Sequence, residues 1–442
     1  MKLFFIFFFF LVFTSCSFDN KTGIWKNEND TNVEKDKNIF KDFEKISSEA
    51  NYFNEIISVD KNYKFNVNKP FPNISWNDIF YSKNNNLINF EYNNLNTIIH
   101  KSKKLSKNKI SNYKLFTNNN LIINDKKGNL ITYSPEKSIT VSKYNFYKKR
   151  YKNINKNLNL VADNNIVFVS DNIGYIYAYD YLNDKIIWAK NYKVPFLSNI
   201  KMLSDKLIVS NQNNDLFILD KFSGNLIKQI PSENTKINNL FRNNISLNNE
   251  SIFFLNTYGS LYSIDQERFT VNWFINLNSS LNLNLRNLFF GGIIVNNGKQ
   301  LVISANKNFY IIEAKNGSII SKKNFSTIIR PLIIKNHVFL ITDNNLLISL
   351  DLENGDIIYS HDINEKVASF TDTKKKNLSI KSIHIADNQI FIFLKNSYVI
   401  KLSILGEIID ILKLPSKLQS DPIFVGSSMY YLSKKNKLYI LN

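Results

Sequence analysis

Residues 164–190, NNIVFVSDNIGYIYAYDYLNDKIIWAK, decide the fold. Two apolar and aromatic runs, 166–169 and 175–179, flank Asp171-Asn172-Ile173-Gly174. A third run, 186–188, follows Asp180 and the turn at Asn183-Asp184-Lys185. β-Branched and aromatic residues suit a pleated, half-buried surface, and Asn, Asp and Gly tolerate the positive φ of tight hairpin turns. The runs are too short for helices. The stretch predicts antiparallel strands. A single such unit cannot bury both of its faces, so its meaning rests on whether it recurs.

It recurs. An apolar-rich strand closing on a short polar residue ends at Ser134, Asp180, Asp220, Asp265, Glu313, Asp351, Ser403 and Asn442. Most units add a further run after a turn, as in SGNLI (223–227), NGSII (316–320), NGDII (354–358) and LGEII (405–409). A mean period of about 44 residues with four strands per unit is that of a β-propeller. Helical arrays of similar period need a 3.6-residue apolar spacing, and none is sustained here. Eight units predict an all-β fold, an eight-bladed β-propeller of four-stranded antiparallel blades. The 351–403 interval is irregular, and seven blades is the alternative. The last unit holds only 429–433 and 438–442. The closing blade is therefore expected to be shared by N- and C-terminal strands, with residues 87–90 and 96–100 as the donors. Closure of this kind leaves no free sheet edge.

The chain has 442 residues, 12 of them Gly, and Asn stands at many turns that would prefer Gly, as at Asn213-Asn214 and Asn344-Asn345. Asn is the next best residue for left-handed backbone. The net charge of +19 is carried by scattered residues, mostly Lys. That pattern reads as a solvated surface, and no nucleic-acid partner is expected.

At the amino terminus, eleven apolar residues (3–13) follow Met1-Lys2. That length fits the core of a signal peptide and is short of the ~20 residues of a spanning helix. Thr14-Ser15-Cys16 comes next and holds the single Cys. The arrangement resembles the bacterial lipobox, with Phe13 where that pattern has Leu. The resemblance implies a signal peptide over 1–15, diacylation of Cys16 and a membrane anchor there. Residues 16–64 are polar and read as a lipidated flexible tether, and 65–442 as the propeller. A flexible chain of about 48 residues spans roughly 40 Å.

Little in the sequence offers reaction chemistry. His100, His337, His361 and His384 form no short ligand motif, and no Cys joins them. Neither a G-x-S-x-G elbow nor a phosphate-cradling Gly loop is present. Asp180, Asp220, Asp265 and Asp351 recur once per unit, which reads as turn hydrogen bonding rather than calcium binding or acid–base work. Trp188, Trp273 and Tyr359 share one place in their units and read as packing between blades. No catalytic, metal or cofactor site and no small-molecule substrate are expected.

The unit resembles the PQQ-type propeller repeat, in which a strand ends in Asp, followed by Gly, two apolar residues and Trp. Residues 175–188 carry its fullest copy, and the resemblance covers about 70–442. One branch of that family, the quinoprotein dehydrogenases, carries adjacent cysteines near pyrroloquinoline quinone and calcium, and a fuller set of Trp. This chain has Cys16 alone. The other branch is the eight-bladed BamB-type lipoprotein of outer-membrane β-barrel assembly. Lipobox, tether, eight units and the missing catalytic set resemble that branch. The resemblance implies a non-catalytic scaffold, lipid-anchored on the periplasmic face of the outer membrane. It would dock on the periplasmic domains of a BamA-type pore protein and aid insertion of outer-membrane proteins. The alternatives are a quinoprotein dehydrogenase-like enzyme and another periplasmic ligand-binding or sensor propeller. The family's partner-contacting loop carries Leu-x-Leu-Arg. By letters it matches Leu283, Leu285 and Arg286; by blade count it falls on Leu240, Phe241 and Arg242. An Arg beside exposed apolar residues suits a binding hot spot at either place.

Overall fold

The structure, a computed structural model, describes residues 16–18, 25–27, 52–60, 62–147, 151, 153–234, 242–278 and 289–442. The chain forms two compact units, 1–51 and 52–442. In the first, strands Cys16–Phe18 and Trp25–Asn27 pair antiparallel, with Cys16 opposite Asn27.

The second unit is an eight-bladed β-propeller. Blade 2 contains the 164–190 stretch and sets the plan. Its strands are Leu158–Asp163, Ile166–Asp171, Tyr175–Asp180 and Lys185–Asn191, each antiparallel to the next. Blades 1, 3, 4, 5, 6 and 7 repeat the plan over 110–145, 201–230, 244–276, 295–323, 332–362 and 380–413. The third strands of blades 1 to 7 end at Ser134, Asp180, Asp220, Asp265, Glu313, Asp351 and Ser403, as the repeat predicts. The long 351–403 interval is an insertion and not a lost blade. Helix Ile363–Phe370 stands between blades 6 and 7, capped by the Asp362 carboxylate, which accepts from Asn364 N and Glu365 N. Asn214 and Asn345 hold left-handed backbone, with φ of 68° and 65°.

Blade 8 closes the ring from both sides of the chain. Ile423–Val425, Ser428–Leu432 and Leu438–Leu441 are joined by Ile98–Lys101 as the outer strand. One detail of the expected closure is corrected. Asn89–Phe90 does not enter blade 8; it pairs parallel with the inner strand of blade 7, Ile380–Ala386. Ile423–Val425 spans three residues, too short to stand out in the sequence, so blade 8 lacks one strand and not two.

Between blades, one position recurs. The outer strand of every blade carries a register shift at the same place. The residue just after it in the outer strand is Ser142, Trp188, Lys228, Trp273, Ser321, Tyr359, Asp410 or, in the donated strand, His100. Bulges bend a strand and re-aim its side chains. Trp188 Nε1 donates to Lys221 O, Trp273 Nε1 to Ala314 O and Tyr359 Oη to Ile404 O, each at 3.0 Å. In each case the acceptor directly follows the third strand of the next blade. The Trp188 ring lies against Gly224, where an added Cβ would come within 2.6 Å of it. The expected packing role of these aromatics is what the structure shows.

Residues 52–60 and 62–64, grouped with the tether by sequence, lie on the propeller. Phe53 N donates to Asn324 O at 3.0 Å, Ile57 pairs with Ser360, and Phe65 packs on His337, Phe339 and Tyr359.

Because Trp188 carries both the indole hydrogen bond and the contact under Gly224, Trp188→Ala should lower stability by about 3 kcal/mol. Urea unfolding followed by fluorescence of the remaining tryptophans is the check.

Candidate functional site at the mouth of the central channel

The inner strands of the blades surround one axis. Their innermost edges have no further strand to pair with, and buried backbone groups must be satisfied. The chain solves this with its own residues 73–90. Asn73 Nδ2 donates to Phe424 O of blade 8 at 2.7 Å, and Trp76 pairs with Phe116 of blade 1. Ala162 N of blade 2 donates to Asn77 O at 2.8 Å. Lys201 of blade 3 donates to Asp78 Oδ2 at 2.7 Å and to Ser82 O at 2.8 Å. Asn85 Nδ2 reaches Ile245 O of blade 4 and Ile294 O of blade 5, at 2.9 and 2.8 Å. Asn86 exchanges two bonds with Ile333 of blade 6, and Phe90 joins blade 7. The segment thus makes one full circuit of the channel and touches every blade in order.

The circuit sits toward the ends of the inner strands and floors the channel with Trp76, Ile79 and Phe80. Above that floor, where the inner strands begin, a cavity of about 120 Å³ opens toward the blade-to-blade connections. Lys114, Arg330, Lys381, His384 and Asp421 line it. Lys114 Nζ donates to Ser420 Oγ at 2.9 Å and to the Asp421 carbonyl. Arg330 Nη1 donates to Phe80 O at 2.8 Å and Asn85 O at 3.2 Å, fastening the circuit. Burial pulls the Lys114 ammonium down to about 7, against the pull of Asp421, and Arg330 down to about 10. Burial, with Arg330 and Lys114 nearby, takes the His384 ring down to about 3.

Of the residues expected to contact a partner, only Arg242 is placed. It is exposed, on the connection leading into blade 4. Leu240, Phe241, Leu283, Leu285 and Arg286 lie outside the described residues. The periodic carboxylates do turn work. Asp180 accepts from Leu182 N and Asn183 N, Asp265 from Glu267 N and Arg268 N, and Asp351 from Glu353 N. Among the described residues no cluster of His, Cys, Asp and Glu is arranged to hold a metal. Sequence reasoning missed the circuit and the cationic cavity. The cavity's residues come from blades 1, 6, 7 and 8, with no local motif to join them.

The second unit is an eight-bladed β-propeller with its channel closed by the chain's own segment. Residues 153–361 match the family model described as outer membrane protein assembly factor BamB. The BamB of Moraxella catarrhalis superposes with a TM-score of 0.62 at 13% identity, over 78% of this chain and 99% of that one. The quinohemoprotein alcohol dehydrogenase of Comamonas testosteroni gives 0.61 at 9% identity, over 83% and 80%. The computationally designed Ika8 protein gives 0.58 at 8%, over 78% and 99%. No curated protein matches the chain in sequence. The BamB-type, PQQ-like resemblance drawn from the repeats is thus met by both the family model and the fold.

The quinoprotein likeness raises the question of a quinone on the axis. The residues present do not fit one. The cavity of about 120 Å³ is well below the ~300 Å³ of common small-molecule sites, and Trp76 and Phe80 occupy its floor. Its wall offers one carboxylate, Asp421, for a divalent cation.

Two outcomes follow from this geometry. Asp78→Ala strands the Lys201 ammonium, whose side chain is fully buried, and should cost about 3–5 kcal/mol in denaturant unfolding. His384 takes up a proton near pH 6.5 in the unfolded chain but only near 3 in the folded one. The unfolded state therefore binds more protons across that window, and stability falls as pH falls through it. His384→Phe should remove this term, sparing about 2 kcal/mol at pH 5 relative to pH 7.5. Urea midpoints of both proteins at the two pH values are the measurement.

Proposed function

We propose that this chain is a non-catalytic scaffold lipoprotein of outer-membrane β-barrel protein assembly. Cys16 carries the lipid, and the anchored propeller works at the periplasmic face of the outer membrane. The observation that carries this reading is the match of residues 153–361 to the BamB assembly-factor model. A channel filled by the chain's own segment supports it, since a scaffold presents outer surface and needs no deep pocket. The docking face is the one where the inner strands begin. Arg242 stands there, and the connection that holds Leu240 and Phe241 leads to it. The connection containing Leu283, Leu285 and Arg286 is the second candidate. A guanidinium desolvated against a partner carboxylate gives bidentate geometry that Lys cannot. The partner is a BamA-type pore protein, reached through its periplasmic domains.

The fold shared with quinoprotein dehydrogenases supports a second reading, an oxidoreductase. Dye-linked oxidation of alcohols after addition of pyrroloquinoline quinone and calcium would favour it over the scaffold.

Affinity capture of the full-length protein from crosslinked membranes should recover a barrel-assembly pore protein. Cys16→Ala should shift the protein from the membrane to the soluble fraction. Arg242→Glu combined with Arg286→Glu should weaken the capture at least tenfold while the melting temperature stays unchanged. Capture that recovers no assembly component, or that the double variant leaves intact, argues against the reading.

A further inference from the structure

The cavity above Trp76 and Phe80 gathers more positive charge than its surroundings answer. Lys114 is 3% exposed, and its ammonium has only neutral oxygens as hydrogen-bond partners, Ser420 Oγ and the Asp421 carbonyl. Arg330 spends its identified bonds on two backbone carbonyls. Lys381 Nζ stands 3.5 Å from Asp421 Oδ1, and that carboxylate is itself half-exposed at the rim. The other acidic group near Arg330, Asp78, is already paired with Lys201. Three basic groups thus face a single outlying carboxylate. Two buried polar side chains on the same wall lack hydrogen bonds. Ser382 Oγ has no partner, and neither ring nitrogen of His384 has one, although the Pro422 carbonyl lies near the ring. His384 is 1% exposed and wedged between Phe393 and Phe424. Buried polar groups are as a rule bonded, so orphans facing a cavity call for an occupant.

We propose that this cavity is a binding site for one small oxyanion, a phosphate or a carboxylate, held by Lys114, Arg330 and Lys381 with Ser382 and His384 donating to it. The chemistry is matched. An oxyanion accepts several hydrogen bonds at once, and both cationic and neutral donors converge here from blades 1, 6 and 7. The cavity, at about 120 Å³, admits an ion of a few heavy atoms, not a fused-ring cofactor. The site does not depend on the scaffold reading above, because all its groups lie inside the ring.

The test is isothermal titration of the full-length protein with sodium phosphate, and separately with sodium acetate, ionic strength being held constant with sodium chloride. One saturable site per chain is expected for at least one of the two. The tighter arm identifies whether phosphate or carboxylate is the natural chemistry. Lys381→Gln, at a partly exposed position, should weaken that binding at least tenfold with an unchanged melting temperature. Lys114→Met should do the same, read only if the protein still melts cooperatively. Absence of saturable heat with both anions overturns the proposal, as does affinity unchanged in both variants.

Discussion

Eight strand edges meet at one axis with nothing of their own kind left to bond. That constraint governs the molecule. A sheet can hide its outer edge behind a neighbour or leave it in water, but an inner edge in a narrow channel can do neither well. The circuit of residues 73–90 supplies the missing donors and acceptors. It does so with backbone at Trp76, Asn77 and Phe90 and with amide side chains at Asn73, Asn85 and Asn86. An Asn side chain presents an acceptor and two donors at the end of a short stem, so it mimics a peptide group where strand geometry is not available. The buried Lys201–Asp78 pair and the Arg330 bonds to Phe80 and Asn85 then pin the circuit in place. The floor of the channel mouth follows from this arrangement, and so does the size of what can enter.

The outside of the ring is held by a different device. A bulge at a fixed position turns one side chain of each outer strand toward the next blade. Where that side chain is Trp or Tyr, it donates to a carbonyl just past the neighbour's third strand. The turn beneath it has to leave room. Gly224 and Gly317, at φ of 68° and 76°, lie face to face with Trp188 and Trp273, and any side chain there would strike the indole. Blades with Ser142, Lys228, Ser321 or Asp410 at this place forgo the ring.

Much of the architecture was legible because strands of period two, bounded by turn residues, repeat locally. Strand ends at Asp180, Asp220, Asp265 and Asp351 are marked by the carboxylates that bond the following turn. The helix Ile363–Phe370 was not foreseen, and its insertion is what made one interval irregular. The circuit was illegible for a physical reason. Residues 73–90 pair with eight different strands in short touches, so no alternation builds up. Two clues were misassigned: residues 87–90 were sent to the closing blade, and 52–60 with 62–64 to the tether. Both mistakes follow from reading chain order as spatial order. The cationic cavity was hidden for a related reason, since Lys114, Arg330, Lys381 and His384 are ordinary letters in three separate repeats of a Lys-rich chain. Of the partner-contacting loops, one read from letters and one from blade count, the structure places Arg242.

The seam of blade 8 has a kinetic side. Leu438 N bonds to Ser102 Oγ across 336 residues, while the hairpins within each blade close over a handful. The entropy of closing a loop grows only slowly with length, by about 0.6 kcal/mol per doubling, yet it must be met before the contacts on either side repay it. Individual blades can therefore collapse early, whereas the annulus can lock only after both of its seam strands are present. Long-range pairing of this type slows the last step and leaves strand edges open meanwhile, a window in which the chain is exposed to aggregation.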